Sequence, residues 1–198
     1  IASVPIRDKR GNVIDDSIVV FGGVSKSGVD NEFWQFKFST RTWTLISDGS
    51  QGAGETYPAA RSTQNMFFDA KSNELVFFGG EDAQYNGMND LWKYGFTTGE
   101  WTRVWSANET VQPSPRLGSG GVSLYDNNNP KSGGSRNVAV LGGVSGWTKT
   151  SGKQVLGDLW LLDMNSVLIS HAKSTSGYRP KSWYMIALLL FLGVTLAI

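Results

Sequence analysis

Short apolar runs alternate with polar, glycine-rich segments along the chain, and residues 1–165 contain no amphipathic helical pattern. Three of the apolar runs end in a double glycine, at residues 18–23, 75–80 and 138–143. An acidic residue, an apolar residue and a tryptophan follow each run, at residues 32–34, 90–92 and 158–160. The β-branched and aromatic side chains of the runs predict strands that are buried on both faces. Double glycines such as Gly79 and Gly80 predict strand ends where the backbone turns sharply or packs too closely for a Cβ atom.

Each copy of this pattern is too small to bury its own apolar faces, so the copies must pack on one another. Two further elements recur in fixed order, a Pro-x-x-Arg element at Pro58/Arg61 and Pro113/Arg116 and a closing tryptophan at Trp43 and Trp101. The first copy lacks the Pro-x-x-Arg element, and the third copy lacks the closing tryptophan. We expect the tryptophans to pack between the copies, with each ring N–H bonded to a carbonyl group.

These elements, in this order, resemble the kelch repeat, which forms one four-stranded blade of a β-propeller. The resemblance implies an all-β fold with about three kelch-type blades in residues 1–165. Propellers typically need about four to eight blades to close, so we expect a partial ring or a fragment of a longer protein. Within the second copy, the glycine at position 99 predicts a four-residue link in a hairpin, over residues 96–101.

The end of the chain has a different composition. The sixteen residues 183–198 carry no charge, and Arg179 and Lys181 stand just before them. This length is slightly below the roughly 17–25 residues of a membrane-spanning helix. The pattern predicts one C-terminal transmembrane helix after a juxtamembrane linker at residues 166–182. A single span, a tail anchor and a removable glycolipid-anchor signal all remain open, the last because small residues occupy positions 174–177.

Two signals about membrane orientation disagree. Asn108 begins an Asn-x-Thr sequon, which predicts a glycosylated loop on the lumenal or extracellular side. The basic residues Arg179 and Lys181 before the apolar segment favour a cytosolic propeller by the positive-inside rule. We expect a membrane protein with its propeller on the lumenal or extracellular side.

The composition of the chain limits the partners and the chemical sites that we expect. The 18 lysines and arginines nearly balance the 17 acidic residues, for a net charge of +1, and no basic run occurs, so we expect no nucleic-acid partner. The absence of cysteine excludes disulfides and thiolate metal sites. The one histidine, His171, falls in the predicted linker, without a second imidazole for a metal site. We therefore expect no catalytic site, no metal and no cofactor.

The loops after the double glycines remain as candidates for binding. The kelch resemblance implies protein partners at these loops, which span residues 24–31, 81–89 and 144–157. Interface hot spots favour exposed tryptophan, tyrosine and arginine. The candidate contacts are Tyr85 in the second loop, Trp147 with Lys149 and Lys153 in the third, and Arg61 and Arg116.

For two of these candidate groups a structural role is an alternative. For the third loop, the alternative is that Trp147 packs back onto its own blade. The resemblance places Arg61 and Arg116 towards the propeller axis, where hydrogen bonding to neighbouring carbonyls is favoured over ligand contact.

Together these features predict a membrane-anchored kelch-repeat protein that acts as a non-catalytic protein-interaction or scaffold module, with residues 183–198 in the membrane. One alternative is a structural accessory subunit of a larger membrane complex. A less favoured alternative is part of a propeller enzyme that resembles galactose oxidase, with its catalytic residues outside this chain.

Overall fold

The computed structural model describes residues 1–7, 10, 12–50, 56–105, 112–125, 136–145, 154–163 and 169–172. Within them the chain forms three four-stranded sheets. The first sheet contains β1 (Ala2–Arg7), β2 (Val13–Ser25), β3 (Gly28–Lys37) and β4 (Thr42–Ser47). The second contains β5 (Asn65–Asp69), β6 (Glu74–Phe78), β7 (Leu91–Gly95) and β8 (Glu100–Trp105). The third contains β9 (Gly120–Tyr125), β10 (Arg136–Leu141), β11 (Leu159–Asp163) and β12 (Ile169–Ala172).

All three sheets have the same simple topology. Each strand pairs antiparallel with the next strand along the chain, so sequence order and spatial order coincide. Antiparallel neighbours reverse direction at every step, and the links from the second to the third strand therefore share one end of the sheets with the links between sheets. We call this end, which contains the double glycines, the glycine face. The opposite end is the hairpin face.

The second sheet lies between the other two, and its strand β6 is buried on both sides. Leu75 and Phe77 belong to a core shared with the first sheet, whereas Val76 and Phe78 belong to a core shared with the third. All four side chains are fully buried, because successive residues of a strand point to opposite faces and both faces are covered. The prediction of strands buried on both faces is confirmed for β6.

The closing tryptophan of the second sheet shows how consecutive sheets pack. The Trp101 ring lies 5.4 Å from Phe21 and 5.3 Å from Phe33 of the first sheet, measured between ring centroids. The same ring lies 5.1 Å from Phe77 of its own sheet. Its counterpart in the first sheet, Trp43, is 51% exposed. A closing tryptophan therefore packs on the preceding sheet, as expected for consecutive blades of a partial β-propeller.

The double glycine of the second sheet has the geometry that its sequence predicts. Gly79 and Gly80 have φ angles of +71° and +104°, which side chains of L-residues rarely tolerate. A Cβ atom on Gly80 would lie 2.7 Å from the carbonyl oxygen of Ser62. Both the sharp turn and the close approach are therefore present. The hairpin with Gly99 is also confirmed, since β7 ends at residue 95 and β8 begins at residue 100.

The third sheet extends further along the chain than the sequence predicts. Strand β12 pairs with β11 and places His171 opposite Trp160. The blade therefore continues past residue 165 into the predicted linker, and His171 belongs to a strand. No local signal in the sequence predicts this strand, because the third copy has no closing tryptophan and the pairing depends on hydrogen bonds to β11. In the part of the chain that the structure describes, no helix has the length and apolar character to cross a bilayer.

Candidate interaction surface

A buried arginine–aspartate pair lies at the glycine face of the second sheet. Arg61 Nη1 and Nη2 donate to the two carboxylate oxygens of Asp90 at 2.5 and 2.7 Å. Nη1 also donates to the Gly79 carbonyl at 3.1 Å, and Nε donates to the Ala59 carbonyl at 3.0 Å. The guanidinium carbon lies 5.0 Å from the centroid of the Phe77 ring. Charge-assisted hydrogen bonds therefore fix the Arg61 side chain to its own sheet.

The backbone of the same arginine bonds to the first sheet. The Arg61 N–H donates to the Asp30 carbonyl at 3.0 Å, and the Arg61 carbonyl accepts from the Gly23 N–H at 2.9 Å. The next residue, Ser62, then pairs with Glu81 of the second sheet through two backbone hydrogen bonds of 3.0 and 2.9 Å. This one short segment joins two consecutive sheets.

The third sheet repeats the arrangement. Arg116 Nη1 and Nη2 donate to the Asp158 carboxylate at 2.8 and 2.9 Å, and Nη1 also donates to the Gly142 carbonyl at 3.0 Å. The Arg116 N–H donates to the Met88 carbonyl at 2.9 Å, and its carbonyl accepts from the Gly80 N–H at 2.9 Å. The side chain again binds its own sheet while the backbone binds the preceding one.

The indole N–H groups of the three tryptophans that follow the double glycines bond to carboxylates rather than to the carbonyl groups predicted from the sequence. In each sheet the acceptor stands two residues before the tryptophan, which places both side chains on the same face of the strand. The donor–acceptor distances are 2.7 Å for Trp34 and Glu32, 2.6 Å for Trp92 and Asp90, and 2.6 Å for Trp160 and Asp158. Sequence reasoning assigned no role to these acids, although their recurrence at a fixed offset from tryptophan was the available signal. The buried indole N–H of Trp101 has no hydrogen-bond partner among the described residues.

The two arginines keep their aspartates ionised. Burial raises the pKa of Asp90, but the Arg61 hydrogen bonds and charge, with the Trp92 indole, outweigh it and hold that pKa below 3.8. The hydrogen bonds from Arg116 are the largest cause that lowers the pKa of Asp158, to about 2. Both arginine side chains are 0% exposed, so neither is presented to a partner. They hydrogen-bond to neighbouring carbonyls, which is the structural role that the sequence favoured over ligand contact.

Tyr85 lies in a hydrogen-bonded loop on the glycine face. Its side chain is 60% exposed, and its φ angle of +64° is strained for a bulky residue. The Asp82 carboxylate holds the loop by accepting from the N–H groups of Gln84 and Asn86 and from the Asn86 side chain, each at 2.8 Å. Burial opposes ionisation of Asp82, but these hydrogen bonds outweigh it and lower its pKa. Three hydrogen bonds to one carboxylate therefore support the conformation of the loop within the chain itself.

Exposed apolar side chains recur at this face, one after the double glycine of each sheet and before the paired acid and tryptophan. They are Val24, 73% exposed, Tyr85, 60% exposed, and Val155, 84% exposed. The equivalent topology of the three sheets places these segments at the same end. We call this group the apolar row. Sequence reasoning missed both valines, because a valine next to a strand is typical of core positions. The predicted loop over residues 24–31 is mostly strand, because β2 continues to Ser25 and pairs with β3 from Gly28, so Val24 lies in β2.

The structure does not describe the remaining candidate residues. Trp147, Lys149 and Lys153 lie outside the described residues, as do Asn108 and the apolar segment 183–198. Among the described residues, no group of three or more histidine, aspartate or glutamate side chains is placed to hold a metal ion.

Comparison with known proteins identifies relatives for most of the chain. Host cell factor of Drosophila melanogaster is 30% identical over 174 residues, which cover 81% of this chain and 10% of that protein. The leucine-zipper-like transcriptional regulator 1 homolog of the same organism is 31% identical over 107 residues, 53% of this chain and 11% of that protein. Acyl-CoA-binding domain-containing protein 5 of Arabidopsis thaliana is 28% identical over 149 residues, 72% of this chain and 22% of that protein.

The chain spans between 2% and 22% of the length of the curated relatives that it matches. A family model described as the Attractin/LZTR1 beta-propeller matches residues 8–188. The match covers most of the chain, and the three sheets with their double glycines and tryptophans have the kelch-type arrangement. The chain therefore belongs to the Attractin/LZTR1 family of kelch-type β-propellers.

Proposed function

We propose that this chain is a non-catalytic protein-interaction module that binds a protein partner at its glycine face. Propeller domains of this family typically bind protein partners. The observation that carries the proposal is the apolar row, in which Val24, Tyr85 and Val155 each follow the double glycine of one sheet and are all exposed. Recurrence in three sheets distinguishes this group from a surface residue that is exposed singly.

Tyr85 is the proposed anchor of the interface. A strained backbone costs about 1–3 kcal/mol and persists only where the surrounding structure holds it, which is common at binding sites. The hydrogen bonds to Asp82 supply that support in the free chain. Because these hydrogen bonds support the loop conformation, binding should cost little conformational entropy, and tyrosine is one of the residues enriched in hot spots.

We also propose that residues 183–198 attach the module to a membrane, with the propeller on the lumenal or extracellular side. Sixteen uncharged residues and the sequon at Asn108 support this arrangement. Truncation after Gly177 tests the anchor: the shortened protein should move from the membrane fraction to the soluble fraction and keep its partner. Loss of the folded state in the shortened protein would instead assign the apolar segment to the fold.

Two matched variants test the binding site. We expect Tyr85→Ala to weaken partner binding by about 2 kcal/mol, or roughly 30-fold in Kd. Phe38→Ala is the control, because Phe38 is 51% exposed but lies in the link between β3 and β4 on the hairpin face. The partner is captured by crosslinking from native membranes, and each variant is then titrated against it. Normal binding by Tyr85→Ala together with weak binding by Phe38→Ala would place the interface on the hairpin face and refute the proposal.

A further inference from the structure

The outer strands of the first two sheets hold equivalent positions. Strands β4 and β8 are the last strands of their sheets, and no strand among the described residues pairs with their outer sides. Thr44 of β4 pairs with the residue after Trp34, and Thr102 of β8 pairs with the residue after Trp92. In both sheets the register of the ladder shifts at these tryptophans. The two strands can therefore be compared residue by residue.

The two strands differ in charge. Strand β8 carries Glu100 and Arg103, and the Arg103 guanidinium carbon lies 5.7 Å from the centroid of the Trp92 ring. Strand β4 has Thr42 and Leu45 at these two positions, and it contains neither a charged residue nor a proline. Charged side chains and prolines commonly protect an edge strand from pairing with another chain. Strand β8 has this protection, whereas β4 lacks it.

The free edge of β4 is a property of its place within the sheet. The second sheet lies between the other two sheets, yet its last strand, β8, also pairs on one side only among the described residues. Neighbouring sheets therefore cover the two faces of a sheet and leave the outer edge of its last strand without a partner strand. The same holds for β4, whatever packs against the faces of the first sheet.

We propose that β4 is a self-association site, at which it pairs antiparallel with β4 of a second copy of this chain. Residues directly opposite each other in a sheet share a face, so the two-fold axis must pass between two identical residues. The axis lies at Thr44, which puts Trp43 opposite Leu45 of the second copy and Thr42 opposite Ile46 of the second copy. This site contains no residue of the apolar row, so it does not depend on the proposed function.

An axis at Thr44 keeps charge out of the paired segment. The segment Thr42–Ile46 is uncharged, and two threonines directly opposite each other are a favourable pair in a sheet. An axis at the neighbouring Trp43 would instead crowd two indole rings and place Arg41 opposite Leu45. A charge that faces an apolar side chain loses hydration without gaining a partner.

The same pairing is unfavourable for β8. An axis at Thr102 would place Glu100 opposite Val104, once for each copy. An axis at Arg103 would place two like charges directly opposite each other, which is destabilising in a sheet. Self-association should therefore use β4 and not β8.

Disulfide trapping tests the pairing, because the chain contains no cysteine. Residues opposite each other in an antiparallel pair have Cα atoms about 4.5–5.5 Å apart, which a disulfide spans. The 198-residue chain carrying Thr44→Cys is oxidised in mild detergent, and the linked dimer is measured on a non-reducing gel. Thr102→Cys is the matched control, because Thr102 is also exposed and holds the equivalent position in β8. We expect Thr44→Cys to link about tenfold faster or more.

Two further variants test the register and the role of charge. The Thr42 residues of the two copies would lie four residue steps apart along the strands, or about 13 Å, so Thr42→Cys should link no faster than Thr102→Cys. Thr42→Glu added to the Thr44→Cys chain copies Glu100 of β8 and places a charge opposite Ile46 in both copies. It should slow linkage about fivefold.

Three outcomes would overturn the proposal. Equal rates for Thr44→Cys and Thr102→Cys would mean that exposed thiols link by random collision. Faster linkage through Thr42→Cys than through Thr44→Cys would refute an axis at Thr44. An unchanged rate after the addition of Thr42→Glu would show that the absence of charge on β4 does not control its pairing.

Discussion

The double glycine of the second sheet allows a matched test of packing, because the same backbone conformation recurs at Gly23 with different neighbours. The φ angles are +104° at Gly80 and +111° at Gly23. A Cβ atom at Gly80 would lie 2.7 Å from the Ser62 carbonyl oxygen and 3.1 Å from the Cβ of Gln64. A Cβ atom at Gly23 would meet nothing within 4 Å. Alanine therefore introduces backbone strain at both positions and a clash only at Gly80.

These contacts set the expected free energies. The backbone strain costs about 1–3 kcal/mol at either position, and the overpacking at Gly80 adds about 1–3 kcal/mol. We expect Gly23→Ala to lower the free energy of unfolding by about 1–3 kcal/mol and Gly80→Ala by about 2–6 kcal/mol. Urea denaturation followed by tryptophan fluorescence measures both values, since Trp92 and Trp101 belong to the core between the first two sheets.

The conclusion depends on the difference between the two variants in the free energy of unfolding. Equal losses would show that backbone strain alone requires glycine at these two positions and that the Ser62 segment yields without cost. A larger loss for Gly23→Ala would refute the assigned contacts. A Gly80→Ala variant that is the less stable of the two supports close packing of the Pro-x-x-Arg segment against the double glycine.

Three further predictions concern charge and topology. Arg116→Met should destabilise the fold by about 1.5–3 kcal/mol, because it removes the charge-assisted hydrogen bonds to the partly exposed Asp158 carboxylate. Lys93→Met breaks only the partly exposed ion pair with Glu74, worth about 0–1 kcal/mol. Thermal unfolding of both variants measures the contrast. Because the pKa of Asp158 is lowered from 3.8 to about 2, the stability from its ionisation is complete above the unfolded-state pKa and is lost as pH falls towards 2. Allowing for partial screening, unfolding at about pH 4 and about pH 2 should show a loss of about 1–2 kcal/mol that Asp158→Asn lacks. Expression in a eukaryotic secretory system should add a glycan that a glycosidase removes and that Asn108→Gln abolishes.

Each of these predictions has an outcome that contradicts it. Equal destabilisation by Arg116→Met and Lys93→Met would show that the buried pair contributes no more than a surface pair. An unchanged acid profile in Asp158→Asn would assign the acid sensitivity to other carboxylates. A chain that never acquires a glycan, and whose propeller is digested only by cytosolic protease, would reverse the proposed orientation.

Local sequence determined most of the strands and the ends of β6 and β10, whereas β2 continues through Gly22 and Gly23 to Ser25 and does not end where the double glycine predicts. The β-branched and aromatic runs before each double glycine specify strands because their side chains fit a surface buried on two faces, as Val76 and Phe77 show. Gly79 and Gly80 end a strand because only glycine tolerates their φ angles and the approach of Ser62. The recurrence of these signals was enough to predict blades, since each copy alone leaves its faces uncovered.

Tertiary structure decided which residues are buried and which remain for binding. Arginine is a residue type enriched in interfaces, yet Arg61 and Arg116 pair with carboxylates 29 and 42 positions away and are fully buried. Trp43 and Trp101 hold the same place in their repeats, but Trp101 packs on Phe21 of the preceding sheet, whereas Trp43 contacts Phe36 of its own sheet and is 51% exposed. Strand β12 also depends on its ladder with β11 rather than on its own residues. Local sequence specifies backbone conformation and periodicity, whereas burial and pairing depend on neighbours that are distant in sequence and are brought together only by folding.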